Sequence, residues 1–184
     1  MLDMISLYNS MEEIQSLSLH QPVPGFILPD LEDRLHSLSE VRGRIAVINF
    51  WSAECPWAER VDRQLLPWLE QWGEAVSLVP IAANANESLD LLKRVAGERG
   101  LRLVLRDPRH EVADLYAAVT TPHLFVMDGK GQLRYQGAFD DVTFRQRLPT
   151  RFYLKEAVDA LLQGRSPQVE QTTPSGCTIV RQVV

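Results

Sequence analysis

The segment Asn49-Phe-Trp-Ser-Ala-Glu-Cys-Pro-Trp-Ala58 sets a single cysteine between an apolar run and a stretch of helical periodicity. A cysteine at a helix start has a chemical use. The first backbone N–H groups of a helix are unpaired and face what precedes them, and the dipole adds about half a positive charge there. Both favour a thiolate, lowering the free-thiol pKa of about 8.5 to ~3.5–7.5 in such settings. Pro56 fits, because proline costs nothing at the first helical position. The opposite reading is a buried, inert cysteine packing as a small hydrophobe; the helix-start context favours nucleophilic or redox chemistry at Cys55. Glu54 and Glu59 bracket it. An acid beside a thiol raises its pKa, so Glu54 opposes the dipole. Glu59, one turn on, reads as a solvated helix face, with a proton shuttle as the alternative. Trp51 and Trp57 wall the site, whereas Trp68 and Trp72 read as core. The other cysteine, Cys177, stands near the C-terminus among Pro, Gly and Ser. Two cysteines and four scattered histidines make a poor metal set, so neither metal nor cofactor is expected.

These residues need elements to position them. Residues 45–51 (IAVINFW) form an apolar run suited to a strand buried on both faces. From Pro56, the residues Val61, Leu65, Leu66, Leu69 and Trp72 recur at helical spacing up to Gly73. Pro67 lies inside that pattern and predicts a kink or break near Leu66. Residues 75–83 read as a second strand, 88–100 as a helix and 103–106 as a short strand. Asp107 and Pro108 offer an N-cap and a first helical position for a helix through Tyr116. Residues 123–127 and 133–136 flank the hairpin chemistry of Asp128-Gly-Lys-Gly131. Thr150 is the expected cap of a last helix, with Leu154, Val158, Leu161 and Leu162 inward and Gly164 at its end. Ahead of these lie an extended stretch at 21–29, a turn and short strand at 31–38, and a helical turn at 39–42.

The order β-α-β-α-β-α-β-β-α predicts an α/β domain with a central sheet closed by an antiparallel hairpin. Residues 1–20 read as an N-terminal helical extension. Its Met4, Leu7, Met11 and Ile14 pack on the domain itself or make a homodimer contact. Residues 21–164 form the domain, and 165–184 a flexible tail carrying Cys177.

The 184 residues are 45% hydrophobic and 23% charged, too apolar for intrinsic disorder. A net charge of −5 argues against nucleic acid as a partner. No apolar stretch approaches the ~20 residues of a membrane span, so no membrane partner is expected. The first basic residue is Arg34, so a secretory n-region is absent and the expected compartment is the cytoplasm.

Phe50-Trp51-x-x-x-Cys55-Pro56 resembles the active-site lead of the thioredoxin superfamily. Pro29-Asp-Leu-Glu-Asp and Leu38-Ser-Glu-Val-Arg-Gly43 resemble the approach segment of its redoxin branch. That branch holds the alkyl hydroperoxide reductase and thiol-specific antioxidant proteins, with bacterial thiol:disulfide oxidoreductases. Thr121-Pro122, a strand and Asp128-Gly-Lys-Gly-Gln resemble the family's cis-proline loop and closing hairpin. Tyr135-x-Gly-Ala-Phe-Asp-Asp141 and Pro174-Ser-Gly-Cys177-Thr-Ile are similar to a subgroup with a Gly-Cys tail. The resemblance implies a thioredoxin-like fold with a central mixed sheet flanked by helices, a catalytic Cys55, and a cis Thr121–Pro122 bond lining the site. It implies thiols and disulfides, of proteins or small molecules, as partners.

The departures narrow the chemistry. Where dithiol oxidoreductases carry a second cysteine, three residues on, stands Ala58, so no vicinal disulfide forms. Asn49 replaces a buried carboxylate and cannot take a proton. Ser52 lies where peroxiredoxins hydrogen-bond the peroxide, but their partner arginine has no clear counterpart. Arg60, Arg63 and Arg134 are the substitutes, each otherwise a solvated charge, and His123 reads as a strand residue with an approach to the thiolate as the alternative.

Three functions follow. The first is a thiol-dependent oxidoreductase acting through Cys55, with Cys177 or an external thiol resolving the intermediate. The thirteen residues from Gly164 to Cys177 reach ~43 Å when extended, ample to return to Cys55. The second is a peroxidase in which Cys55 becomes a sulfenic acid. The third is a binding module that holds an extended peptide on the cis-proline face without turnover.

Overall fold

A computed structural model describes residues 17–143 and 145–181. The expected helix and dimer contact at Met4, Leu7, Met11 and Ile14 lie outside the described residues.

The seven residues of β3 (Ile45–Trp51) are all buried, which accounts for their unbroken apolar run. β3 sits at the centre of a five-stranded mixed sheet. It runs parallel to β4 (Val76–Ala82), itself parallel to β5 (Leu105–Arg106). On its other side it is antiparallel to β7 (His123–Met127), which pairs with β8 (Leu133–Gly137). Successive strand residues face opposite sides, so β3 feeds two cores. Ile45 and Val47 pack with Val61, Leu65, Leu154 and Val158 of the helices α1 (Pro56–Trp72) and α4 (Tyr153–Leu162). Ala46, Ile48 and Phe50 pack with Tyr116 and Phe125 on the opposite face. α2 (Leu89–Arg99) starts at a Ser88 cap and stops at Gly100, whose φ of 76° suits glycine. A small hairpin of β1 (Ile27–Pro29) and β2 (Leu35–Ser37) precedes the sheet.

Four expectations are corrected. α1 is not broken at Pro67 but runs through it. Proline removes one helical N–H, and packing of Leu65, Trp68 and Leu69 on both sides of it holds the helix together. Asp107 and Pro108 do not start a helix. Asp107 extends the sheet by donating its N–H to Ala82, and α3 (Glu111–Leu115) begins after His110, with the Asp107 carboxylate accepting from Ala113 N–H at 2.7 Å. Thr150 does not cap α4, whose N-cap is Phe152. Its hydroxyl and N–H both bond the Asp141 carboxylate instead.

The fourth correction concerns the tail. Residues 165–184 were expected to be flexible, yet residues 170–181 are bonded along the domain. Gln136 N–H donates to Glu170 and Thr172 N–H to Gln136, each at 3.0 Å. Gly137, at φ 136°, admits this approach: a Cβ there would lie 2.3 Å from the Thr172 carbonyl oxygen. Further on, β9 (Cys177–Thr178) pairs antiparallel with β6 (Thr120–Thr121). Ile179 then inserts into the core beside Phe50 and Tyr116, and Val180 N–H bonds Asn84 Oδ1 at 2.9 Å. A polar, Pro/Gly/Ser-rich sequence is held here by backbone pairing and one buried isoleucine.

Candidate active site

Cys55 is the N-cap of α1, with extended backbone (φ −79°, ψ 119°), and is only 2% exposed. Its N–H donates to Ser52 Oγ at 3.0 Å, which fixes the turn leaving β3. Its thiol donates to the Thr121 carbonyl at 2.9 Å. The Thr121–Pro122 bond is cis. Strand β3 and strand β7 are neighbours in the sheet, so the segment leading into β7 lies against the start of α1.

The tail completes the site. Thr121 is the register partner of Cys177. Gly176 lies so close that a Cβ would meet Thr121 O at 2.3 Å and Pro122 Cδ at 3.0 Å. The half-buried Cys177 side chain packs, like Trp57, on the cluster that holds Cys55, near enough for the Cys55 thiol and the Trp57 N–H to act on its charge. Burial first, then the Cys55 contact and the charge of Glu87, push it up to about 12; the Trp57 N–H works the other way. Cys177 is therefore a protonated thiol at neutral pH, resting on the first turn of α1. Ala58, buried in the same cluster, is the residue standing where the dithiol pattern has its second cysteine.

Other residues expected at the site separate into those that touch it and those that do not. Ser52 Oγ donates to Glu87 Oε1 at 2.6 Å while accepting from Cys55. Trp51 is fully buried, its indole N–H on Asp62 at 2.8 Å. Pro56 and Trp57, the two residues after Cys55, line an open cleft with Arg60, Val142, Thr143 and Arg147. Glu54 is exposed and contributes its N–H, which donates to Glu87 at 2.9 Å. Glu59 is ion-paired to Arg63 on the outer face of α1. The substitute arginines are likewise engaged: Arg60 with buried Asp140 and Arg134 with Asp128. His123 packs on Phe125 with ring centroids 4.4 Å apart, and burial pushes it down to about 4, so it is neutral.

Three contributors escaped the sequence reading. Glu87 supports Ser52 and Glu54 from the loop after β4. Its position beyond the carboxyl end of a parallel strand was a usable signal, because sites gather there. Asp62 and Arg99 form a buried pair at 3.0 Å beneath Trp51. Arg99 also bonds the Ser52 and Ala53 carbonyls, at 3.3 and 2.7 Å, pinning the turn that carries Cys55. Burial raises the Asp62 pKa against the bonds from Trp51 and Arg99. No local pattern links residue 62 to residue 99.

With this geometry in place, comparison with known proteins decides the family. The AhpC/TSA family model matches residues 19–136. The chain belongs to the AhpC/TSA family. This AhpC/TSA chain is 27% identical over 130 residues to the thiol-disulfide oxidoreductase ResA of Geobacillus thermodenitrificans, covering 68% of this chain and 72% of the relative. It is 26% identical over 149 residues to the thiol:disulfide interchange protein DsbE of Pseudomonas fluorescens, covering 79% and 82%. A crystal structure of an uncharacterized conserved protein from Geobacillus kaustophilus superposes with a TM-score of 0.83 at 28% identity, covering 92% of this chain and 95% of that one. The AhpC/TSA chain thus has the thioredoxin-like fold, in the redoxin branch.

Proposed function

We propose that this chain is a thiol:disulfide oxidoreductase in which Cys55 attacks and Cys177 resolves. The family and its relatives make it an enzyme of thiol:disulfide oxidoreductase or thiol peroxidase type, with thiols and disulfides as partners. The observation that carries the finer reading is the pairing of Cys177 with Thr121, the residue whose carbonyl holds the Cys55 thiol.

In the first step the Cys55 thiol gives up its proton and its sulfur attacks a substrate disulfide. One substrate sulfur joins Cys55 as a mixed disulfide and the other leaves as a thiolate. In the second, Cys177 loses its proton and attacks Cys55 Sγ, releasing the second substrate thiolate and forming a Cys55–Cys177 disulfide. Two electrons pass from the two thiols to the substrate. Two external thiol equivalents, which leave as their own disulfide, return the pair to its reduced form, which suits a reducing compartment such as the cytoplasm.

Two observations favour this over the other readings. The Ser52 hydroxyl, which a peroxidase would turn toward peroxide, is committed to Glu87. The Thr121 edge, which a peptide-binding module would offer, is filled by β9. Single-turnover oxidation with a small disulfide tests the proposal. Cys55→Ser loses the reaction, and Cys177→Ser stops at the Cys55 mixed disulfide, visible as added mass. Equal behaviour of the two variants, or full turnover by Cys177→Ser at the wild-type rate, overturns it.

A further inference from the structure

We infer that the substrate of the cysteine pair is a small disulfide bearing carboxylates, seated in the cleft beside the start of α1. This rests on the Cys55–Cys177 reading above and names its substrate class.

The first ground is what the tail excludes. An extended polypeptide would engage the backbone of Thr121 by strand addition. That edge belongs to Cys177 and Thr178, with Gly176 packed too tightly against Thr121 and Pro122 for even a methyl group to fit. The tail is anchored on both sides of this contact, by Thr172 on β8 and by Ile179, 4% exposed, in the core. Cys55 itself is only 2% exposed, which disfavours the approach of a bulky chain.

The second ground is the shape of what stays open. Pro56, Trp57, Arg60, Val142, Thr143 and Arg147 line a cleft of about 350 Å³. That volume suits a small molecule, whose sites run from ~300 to 1,000 Å³. Pro56 and Trp57 directly follow Cys55, and Trp57 and Cys177 both pack on the cluster that holds Cys55. A molecule lying on Trp57 is therefore next to the segment that carries Cys55 and to the cluster on which Cys177 packs.

The third ground is charge. The chain carries a net charge of −5, yet among the described residues this cleft is lined by two arginines and no acid. Arg60 is turned to Asp140. Arg147 is exposed, and among the described residues no hydrogen bond or ion pair holds it. A guanidinium free to form a forked pair recognises a carboxylate, while Trp57, Pro56 and Val142 receive the aliphatic part of the same molecule.

The test mixes the reduced full-length chain with glutathione disulfide (dianionic), cystamine (dicationic) or insulin (a polypeptide disulfide). Acid-quenched mass analysis follows formation of the Cys55–Cys177 linkage, and each rate is divided by that of the same disulfide with dithiothreitol. Wild type should favour glutathione disulfide over cystamine by roughly tenfold and over insulin by more. Arg147→Glu should abolish or reverse the first preference, and Arg147→Ala should weaken it. Equal normalised rates for the two small disulfides, an anionic preference that survives Arg147→Glu, or insulin as the fastest oxidant overturns the inference. If no oxidant yields the linkage, the cysteine-pair reading itself has failed; if the linkage forms without charge preference, only the substrate class has.

Discussion

Cys177 is paired across an antiparallel bridge with Thr121, although 56 residues separate them, and the Thr121 carbonyl accepts the Cys55 thiol. One backbone unit thus holds both cysteines. In the proposed mechanism, the second thiol that the helix lacks at Ala58 comes from the far end of the chain.

That arrangement depends on Gly176. Replacing it with Val forces a side chain into the Thr121 carbonyl, 2.3 Å from the first added atom. β9 should leave Thr121, and the tail should become a tether of millimolar effective concentration at best. Resolution of the Cys55 mixed disulfide should slow by about tenfold or more, while Cys55 alkylates faster because its cover is gone. Quenched-flow alkylation with mass detection measures both; unchanged rates would mean that β9 does not control access.

The resolving step should accelerate with pH. Burial, the largest cause that pushes the Cys177 thiol up, persists in the Cys55 mixed disulfide, so its reactive thiolate is scarce at neutral pH. Between pH 6 and 9 the resolution rate should rise about tenfold per pH unit. Single-turnover decay of a preformed Cys55 mixed disulfide reports it directly. A flat profile would show that Cys177 is already ionised, or is not the attacking group.

His123 predicts a different pH effect, on stability. Its folded pKa of about 4 lies below the ordinary 6.5 because burial disfavours the imidazolium. Below 6.5 the unfolded chain therefore binds a proton that the folded chain refuses. The contribution is fully present above pH 6.5 and is lost as pH falls toward 4, amounting to on the order of 3 kcal/mol. Urea unfolding at pH 7 and pH 4 should show that loss in wild type. His123→Phe, which keeps the ring against Phe125, should show a loss smaller by about that amount.

Arg99→Ala should cost about 3–5 kcal/mol, because it strands the buried Asp62 carboxylate. Adding Asp62→Asn should recover part of this, since a neutral amide oxygen still accepts the Trp51 indole N–H. Denaturant unfolding of the two variants measures both effects. Equal stability of single and double variants would show that the charge of Asp62 is not the cause.

How far the sequence revealed these features follows from the range of the forces involved. β3 and Cys55 are legible because a buried strand must be apolar and a helix start announces itself with Pro56. Asp107 and Thr150 mislead for a physical reason. A capping side chain bonds whichever suitable group comes near: the Asp107 carboxylate accepts from Ala113 N–H, and the Thr150 hydroxyl donates to Asp141, rather than either serving the next turn. The tail was illegible because backbone pairing leaves no periodic signature, and Gly176 looks like flexibility although it is there to permit contact. Glu87 and Arg99 reach Ser52 across 35 and 47 residues, a distance no local pattern spans.

The proposed mechanism makes Cys55 and Cys177 one redox pair. Oxidation of the reduced full-length chain with a stoichiometric small disulfide, followed by non-reducing peptide mapping, tests it most directly. The expected product is a Cys55–Cys177 linkage within single chains, with a resolving step whose rate is independent of protein concentration. Cys177 remaining alkylatable while Cys55 is oxidised would contradict it.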